Sequence, residues 1–274
     1  MSIVLNLSDY DEISYNSNRK YNILVNRNII VIYTSNDYCI FQENSDNEYE
    51  LKFNIDFVTP TYFTVYNDKI YQVSDNGIFI LDDDFNWILD NEEFYNSAEY
   101  FLSVIEKNMN IHSVNYSIAL TKVTDTGKLS VIKIGKDIYS SHSLGLSPFD
   151  STNNYFLDKR GSIFIIDETN SCKLYKFEDR DSYYLRDTIS YKYVFPRTYV
   201  TSDNNLILIL HDMINMKLLV YSNNLSIKSK FELVTELSTN YKDINDISNS
   251  SIYVYNNYIY YMCSGKIIKY ELDI

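Results

Sequence analysis

The chain has 274 residues, 45% of them hydrophobic, with 37 acidic against 24 basic side chains and a formal net charge of −13. That length suits one all-β repeat unit with a large core. The charge repels nucleic-acid phosphates and anionic lipid and leaves a basic protein, a cation or a neutral glycan as the partner chemistry.

Tyrosine is abundant at 28 residues, while glycine (6) and proline (3) are scarce. Asparagine stands in for glycine at many turns, because its short polar side chain tolerates the left-handed backbone. Cys39, Cys172 and Cys263 form no CxxC pair and are expected to be buried thiols in a reducing compartment. The first residues, MSIVLNLSDYDEIS, carry no basic region followed by an apolar run, and no stretch approaches the roughly 18 apolar residues of a membrane span. The expected location is cytoplasmic.

In chain order, residues 2–8 read as a strand without a hairpin partner of its own. ILVNRNIIVIYTSNDYCIFQ then turns at Asn26-Arg27 and Asn36-Asp37. YFTVYNDKIYQVSDNGIFILDDDFNWIL, residues 62–89, reads as four antiparallel strands, Tyr62–Tyr66, Lys69–Asp75, Ile78–Asp82 and Trp87–Asp90. Asn-Asp and Asn-Gly between apolar runs are favoured hairpin loops because their central residues accept positive φ. ALTKVTDTGKLSVIKIG repeats part of this pattern, with an ill-defined first strand. YFLDKRGSIFIIDETNSCKLYKF turns at Lys159–Gly161 and again around Thr169–Ser171. Residues 199–233 turn at Asn204-Asn205, around Met213–Asn215 and at Asn223-Asn224. YVYNNYIYYMCSGKIIKY closes the series with three strands only.

First strands thus begin near residues 22, 62, 100, 154, 198 and 251. Units of this size, each a four-stranded meander with two apolar faces, bury both faces by radial stacking. Pro60, Pro148 and Pro196 each fall shortly before a first strand, where a missing backbone donor costs least. With residues 2–8 as the outer strand of the last unit, the pattern resembles an all-β, six-bladed β-propeller closed by strand exchange. The approximate blades are 20–57, 61–95, 99–146, 153–192, 197–235 and 250–274 plus 2–8, within one domain spanning 1–274. The resemblance is to the architecture and not to a family: there is no Trp-Asp, kelch or YWTD signature, and Ser74–Phe79 matches only part of an Asp-box. Residues 90–108 also read as a helix, acidic early and basic late, which would leave a five- or seven-bladed ring.

Catalytic signals are missing from the sequence. His112, His142 and His211 lie in different units, and no nucleophile elbow, P-loop or dinucleotide fingerprint occurs. Asp82-Asp83-Asp84 lacks the alternating ligands of a calcium loop and reads as a hairpin tip. Arg27 and Arg160 fall in turns between first and second strands, on the opposite end of the ring from Arg197, which argues against an arginine triad for an acidic sugar.

In a propeller, turns between second and third strands share one end with the blade-to-blade connections. Here that end carries Asp37, Asp75, Asp125, Asp167 and Asp212, which with Arg197 form the candidate binding set. A ring of carboxylates there would focus negative potential, although aspartate is also ordinary turn chemistry. The leading expectation is a non-catalytic interaction module whose acidic loop face docks a basic protein partner, as an inhibitor or immunity-type protein would. It carries no cofactor and no metal. The alternatives are a carbohydrate-binding or glycoside-hydrolase-like propeller, with tyrosines and Trp87 stacking on sugar, and a structural subunit of a viral or secretion-system assembly.

Overall fold

The computed structural model describes residues 2–16, 19–34, 37–56, 61–66, 68–74, 76–90, 110–114, 117–123, 128–135, 141–145, 154–160, 162–167, 171–179, 182–190, 196–212, 214–239 and 244–272. Among them are six four-stranded antiparallel sheets. The first comprises β2 (Asn22–Asn26), β3 (Ile29–Tyr33), β4 (Asp37–Glu43) and β5 (Tyr49–Asp56). The second comprises β6 (Tyr62–Tyr66), β7 (Lys69–Ser74), β8 (Gly77–Leu81) and β9 (Trp87–Leu89). The third, described by its backbone alone, comprises β10 (Asn110–Val114), β11 (Ser117–Val123), β12 (Lys128–Gly135) and β13 (Ser141–Gly145). The fourth comprises β14 (Asn154–Leu157), β15 (Ile163–Asp167), β16 (Cys172–Asp179) and β17 (Ser182–Ile189). The fifth comprises β18 (Arg197–Val200), β19 (Asn205–Asp212), β20 (Lys217–Asn224) and β21 (Glu232–Ser238). The sixth joins β22 (Ser251–Tyr255), β23 (Tyr258–Cys263) and β24 (Lys266–Glu271) to β1 (Ser2–Asn6).

The first strands β2, β6, β10, β14, β18 and β22 neighbour one another in that order, and β22 returns to β2. Sheets arranged cyclically about their first strands define a β-propeller. Strands are lettered A to D from inside to outside. AB and CD turns therefore share one end of the ring, and BC turns share the other with the connections between blades.

Alternation along the inner strands explains why they read as continuous apolar runs. In β19, Leu206, Leu208 and Leu210 pack towards the fourth blade with Phe156, Phe164 and Leu174, while Ile207 and Ile209 pack towards the sixth with Val254, Ile259 and Tyr261. In β2 and β3, Leu24 and Val31 face the second blade, and Ile23, Val25, Ile30 and Ile32 face the sixth. Successive side chains point to opposite faces, and a blade between two neighbours must be apolar on both. The outer strand β21 has only one neighbour, and none of its residues is fully buried.

Closure follows the sequence expectation. β1 runs antiparallel to β24, pairing Ser2 with Lys269, Ile3 with Ile268, Leu5 with Ile267 and Asn6 with Lys266 around an irregularity at Val4. The strand is shorter than residues 2–8. Leu7–Asp9 form a 3-10 turn, held as Asn6 Nδ2 donates to Asp9 Oδ1 at 2.9 Å. Leu7 is buried, and its N–H still reaches Gly265 O at 2.8 Å.

Positive φ falls at Asp68 (58°), Asn256 (52°), Ser264 (50°) and Gly265 (74°), in the hairpins read from the sequence. Gly77 (φ 142°) has a second constraint: a Cβ there would lie 2.8 Å from Leu89 Cδ1. The first AB turn differs by one position. Arg27 takes the positive φ (54°), because Asn26 ends β2 and donates its amide to Asp68 O at 3.0 Å, tying blade one to blade two. The third sheet also departs from expectation, since its A strand is Asn110–Val114 and not a segment starting near residue 100. The pairing of β10 with β11 runs from Asn110 with Thr121 to Val114 with Ser117. Residues 91–108, read also as a helix, lie outside the described residues, as do Pro60 and Pro148; Pro196 immediately precedes β18.

Candidate functional site: a cleft at the AB/CD end

The two ends of the ring use their polar groups differently. At the BC end, Asp37 accepts from Arg19 Nη1 at 2.9 Å and from the Thr34 hydroxyl. Asp212 is almost fully buried. Its Oδ1 accepts from the N–H groups of Ile214 and Asn215, both at 3.0 Å, and its Oδ2 from Asn215 Nδ2 at 2.7 Å. Both carboxylates stabilise their own turns, the role aspartate takes by mimicking a backbone acceptor. Asp75 and Asp125 lie outside the described residues, and Asp167 ends β15 with only its backbone described.

Arg197 is a brace. Its guanidinium donates to four carbonyls: Nε to Ser250 at 2.9 Å, Nη1 to Pro196 at 3.0 Å, and Nη2 to Ile247 at 2.7 Å and Ser248 at 2.8 Å. It thereby anchors helix α1 (Ile244–Ser248), which leads into β22. A planar fork with several fixed donors suits this task. His211, the one histidine with a described side chain, is fully buried, 3.1 Å from Tyr261 Oη through Nε2. Cys39, Cys172 and Cys263 are buried and joined by no disulfide, and the Cys39 thiol donates to Asn54 Oδ1 at 3.3 Å.

Trp87 is not an exposed platform for sugar. Its indole N–H donates to Tyr38 Oη at 2.8 Å, and its ring packs against Phe63 and Tyr38 between blades one and two. At the Asp82-Asp83-Asp84 tip, Asp82 Oδ1 accepts from Asp84 N at 3.0 Å and Asn86 N at 2.6 Å, which closes the hairpin with Phe85 at φ 63°.

The AB/CD end holds a cleft of about 1100 Å³. Its walls come from the AB turns of blades two (Tyr66, Asp68), four (Lys159), five (Thr201, Ser202, Asp203, Asn205) and six (Tyr255, Asn256, Asn257), with the CD turn of blade five (Ser222 to Lys230) as a flank. No two of these groups of residues adjoin in sequence. Apart from the two turns of blade five, which one sheet carries, the arrangement of the blades around the ring brings them together.

Two tie points fix this end. Asn204, at φ 67°, accepts from Lys159 N at 2.8 Å and donates to Ser226 Oγ at 2.9 Å, linking blade four to both turns of blade five. Deeper in, Tyr199 and Tyr253 of β18 and β22 meet edge to face with centroids 4.8 Å apart and share a phenol–phenol hydrogen bond. Burial pushes the Tyr253 phenol well above its ordinary range, reinforced by Tyr199. Burial also raises Tyr199, and the hydrogen bond from Tyr253 offsets part of that rise. Burial lowers the Lys159 ammonium.

The groups nearer the rim are unengaged. The side chains of Ser202, Ser222, Tyr255, Asn256 and Asn257 make no hydrogen bond to the rest of the chain among the described residues. Asp203 differs: its oxygens accept from the Thr201 hydroxyl and from Asn205 Nδ2 at 2.5 Å. The formal charges of the lining are Asp68, Asp203 and Glu232 against Lys159 and Lys230, a near balance on a strongly acidic chain. Sequence reasoning missed this cleft. The one signal available was that Asn256-Asn257 and Ser202 exceed what a tight turn needs from its side chains.

No family model matches the chain, and no curated protein matches it in sequence. Solved structures similar to it include a protein from Bacteroides uniformis provisionally called 6-phosphogluconolactonase (12% identity, 89% of this chain and 78% of that one, TM-score 0.47). Another is the N-terminal domain of Nup159 (10% identity, 90% and 74%, TM-score 0.42). A third is BBS1N in complex with ARL6DN (12% identity, 88% and 74%, TM-score 0.41). The propeller assignment rests on this chain's own strand order, and likenesses this distant say nothing of what it binds.

Proposed function

We propose that this chain is a non-catalytic binding module that receives its ligand in the cleft at the AB/CD end. The carrying observation is that this cleft presents unengaged hydrogen-bonding side chains from two blades on a rigid ring, a common design for recognition sites.

The inhibitor-type reading, in which the BC end docks a basic protein, has less support. Asp37 and Asp212 are held inside their own turns, and Arg197 is held by carbonyls. The discriminating experiment immobilises the protein and measures ligand retained from extract of the native host. Ser202→Trp, which obstructs the cleft rim, is expected to abolish retention, whereas joint charge reversal at Asp75 and Asp125 leaves it intact. The opposite pattern would move the site to the acidic end.

A further inference from the structure

Resting on the cleft reading above, we propose that the ligand is a neutral oligosaccharide. A sugar ring offers hydroxyls that both donate and accept, and a face of C–H groups with slight positive charge. It is complemented by neutral groups of either polarity beside the negative face of an aromatic ring. The rim supplies that combination. Tyr255 lines the cleft half-buried, its ring packed in part on the core between blades six and one and its hydroxyl making no hydrogen bond among the described residues, and next to it Asn256 and Asn257 are exposed amides, each carrying both donors and an acceptor. Ser202 and Ser222 add hydroxyls from blade five across the cleft.

Three observations separate this ligand from other classes. The two lysines in the lining are outnumbered by its three carboxylates, which disfavours phosphorylated, sulfated or sialylated ligands. The overall charge of −13 opposes any polyanion before it arrives. A peptide would be gripped by main-chain pairing at a sheet edge or by apolar pockets. Here the rim is mostly polar, with hydroxyls and amides in place of deep apolar pockets. A cleft of about 1100 Å³ is at the upper end of the range for small-molecule sites, so several linked sugar units fit better than one.

The test is a glycan array with the intact protein, followed by calorimetric titration of its best neutral glycan against wild type, Tyr255→Ala, Asn256→Ala and Ile214→Lys. Neutral glycans are expected to bind in preference to sialylated or sulfated ones. Tyr255→Ala is expected to weaken binding about tenfold or more, and Asn256→Ala by a smaller factor. Ile214→Lys, at an exposed BC-end position, is expected to leave binding unchanged. Selective binding of charged glycans, or neutral binding indifferent to both rim substitutions, would overturn the proposal. A blank array would overturn it too, and the Ser202→Trp retention assay then separates two failures. Retention lost in that variant keeps the cleft and rejects the sugar, while retention kept rejects both.

Discussion

The BC end and the AB/CD end are built on the same six sheets and made of similar residues, yet their polar side chains have different fates. At the BC end Asp37, Asp212 and Arg197 are satisfied inside the chain. At the AB/CD end the side chains of Asn256, Asn257 and Ser202 line the cleft and make no hydrogen bond among the described residues. A charged or polar residue at a loop is therefore weak evidence of a site. What distinguishes a recognition surface is hydrogen-bonding capacity that folding leaves unused.

Substitutions can break that comparison, and the largest effect belongs to Arg197. Arg197→Met removes four donors and takes one partner from the carbonyls of the buried Ser250 and Pro196, while Ile247 O keeps its bonds from Ser250, so a loss of about 2–4 kcal/mol is expected in denaturant unfolding. Arg197→Lys should recover only part of it, because an ammonium cannot reproduce the fork.

Alkaline pH should act on the core that both ends share. Burial pushes Tyr260 and Tyr270 up to about 12. A phenol raised in the folded state contributes stability that is complete below the unfolded value near 10 and is lost as pH climbs towards 12. Unfolding at constant temperature, followed by tyrosinate absorbance, is expected to become cooperative between about pH 10 and 12. Titration of these phenols near pH 10 in the folded protein would contradict that burial.

Asp212→Ala should cost about 1–2 kcal/mol by unfolding, since it orphans two turn N–H groups. Asn204→Ala is expected to cost a similar amount at the other end, as the inter-blade tie to Lys159 and Ser226 is lost. It sharpens the contrast, because it is a cleft-end residue that folding does use. The smallest effect is expected for Asn256→Ala, within about 0.5–1 kcal/mol, the remaining cost being its positive φ.

Much of the ring was legible because its signals are local. Tyr62–Tyr66 appears in the structure with the bounds read from Asn67-Asp68 and the flanking alternation. The closing strand was legible by subtraction: a first strand with no hairpin and a last unit short of a strand belong together. The start of the third sheet was not legible, because Asn110–Val114 (NIHSV) lacks the apolar run that marks the other first strands. Nor was the role of Trp87, since an indole N–H satisfied by Tyr38 from another blade leaves no trace in sequence spacing. The cleft was least legible of all. Tyr66, Lys159, Ser202 and Tyr255 become neighbours through ring closure, and no short motif records that adjacency.

Equilibrium urea unfolding of Arg197→Met beside Ser202→Ala tests the contrast between the ends most directly. The expected loss is about 2 kcal/mol or more for the first and about 0.5 kcal/mol or less for the second. Equal losses would mean that folding uses the cleft rim as fully as it uses the opposite end, and would remove the reason for placing a ligand there.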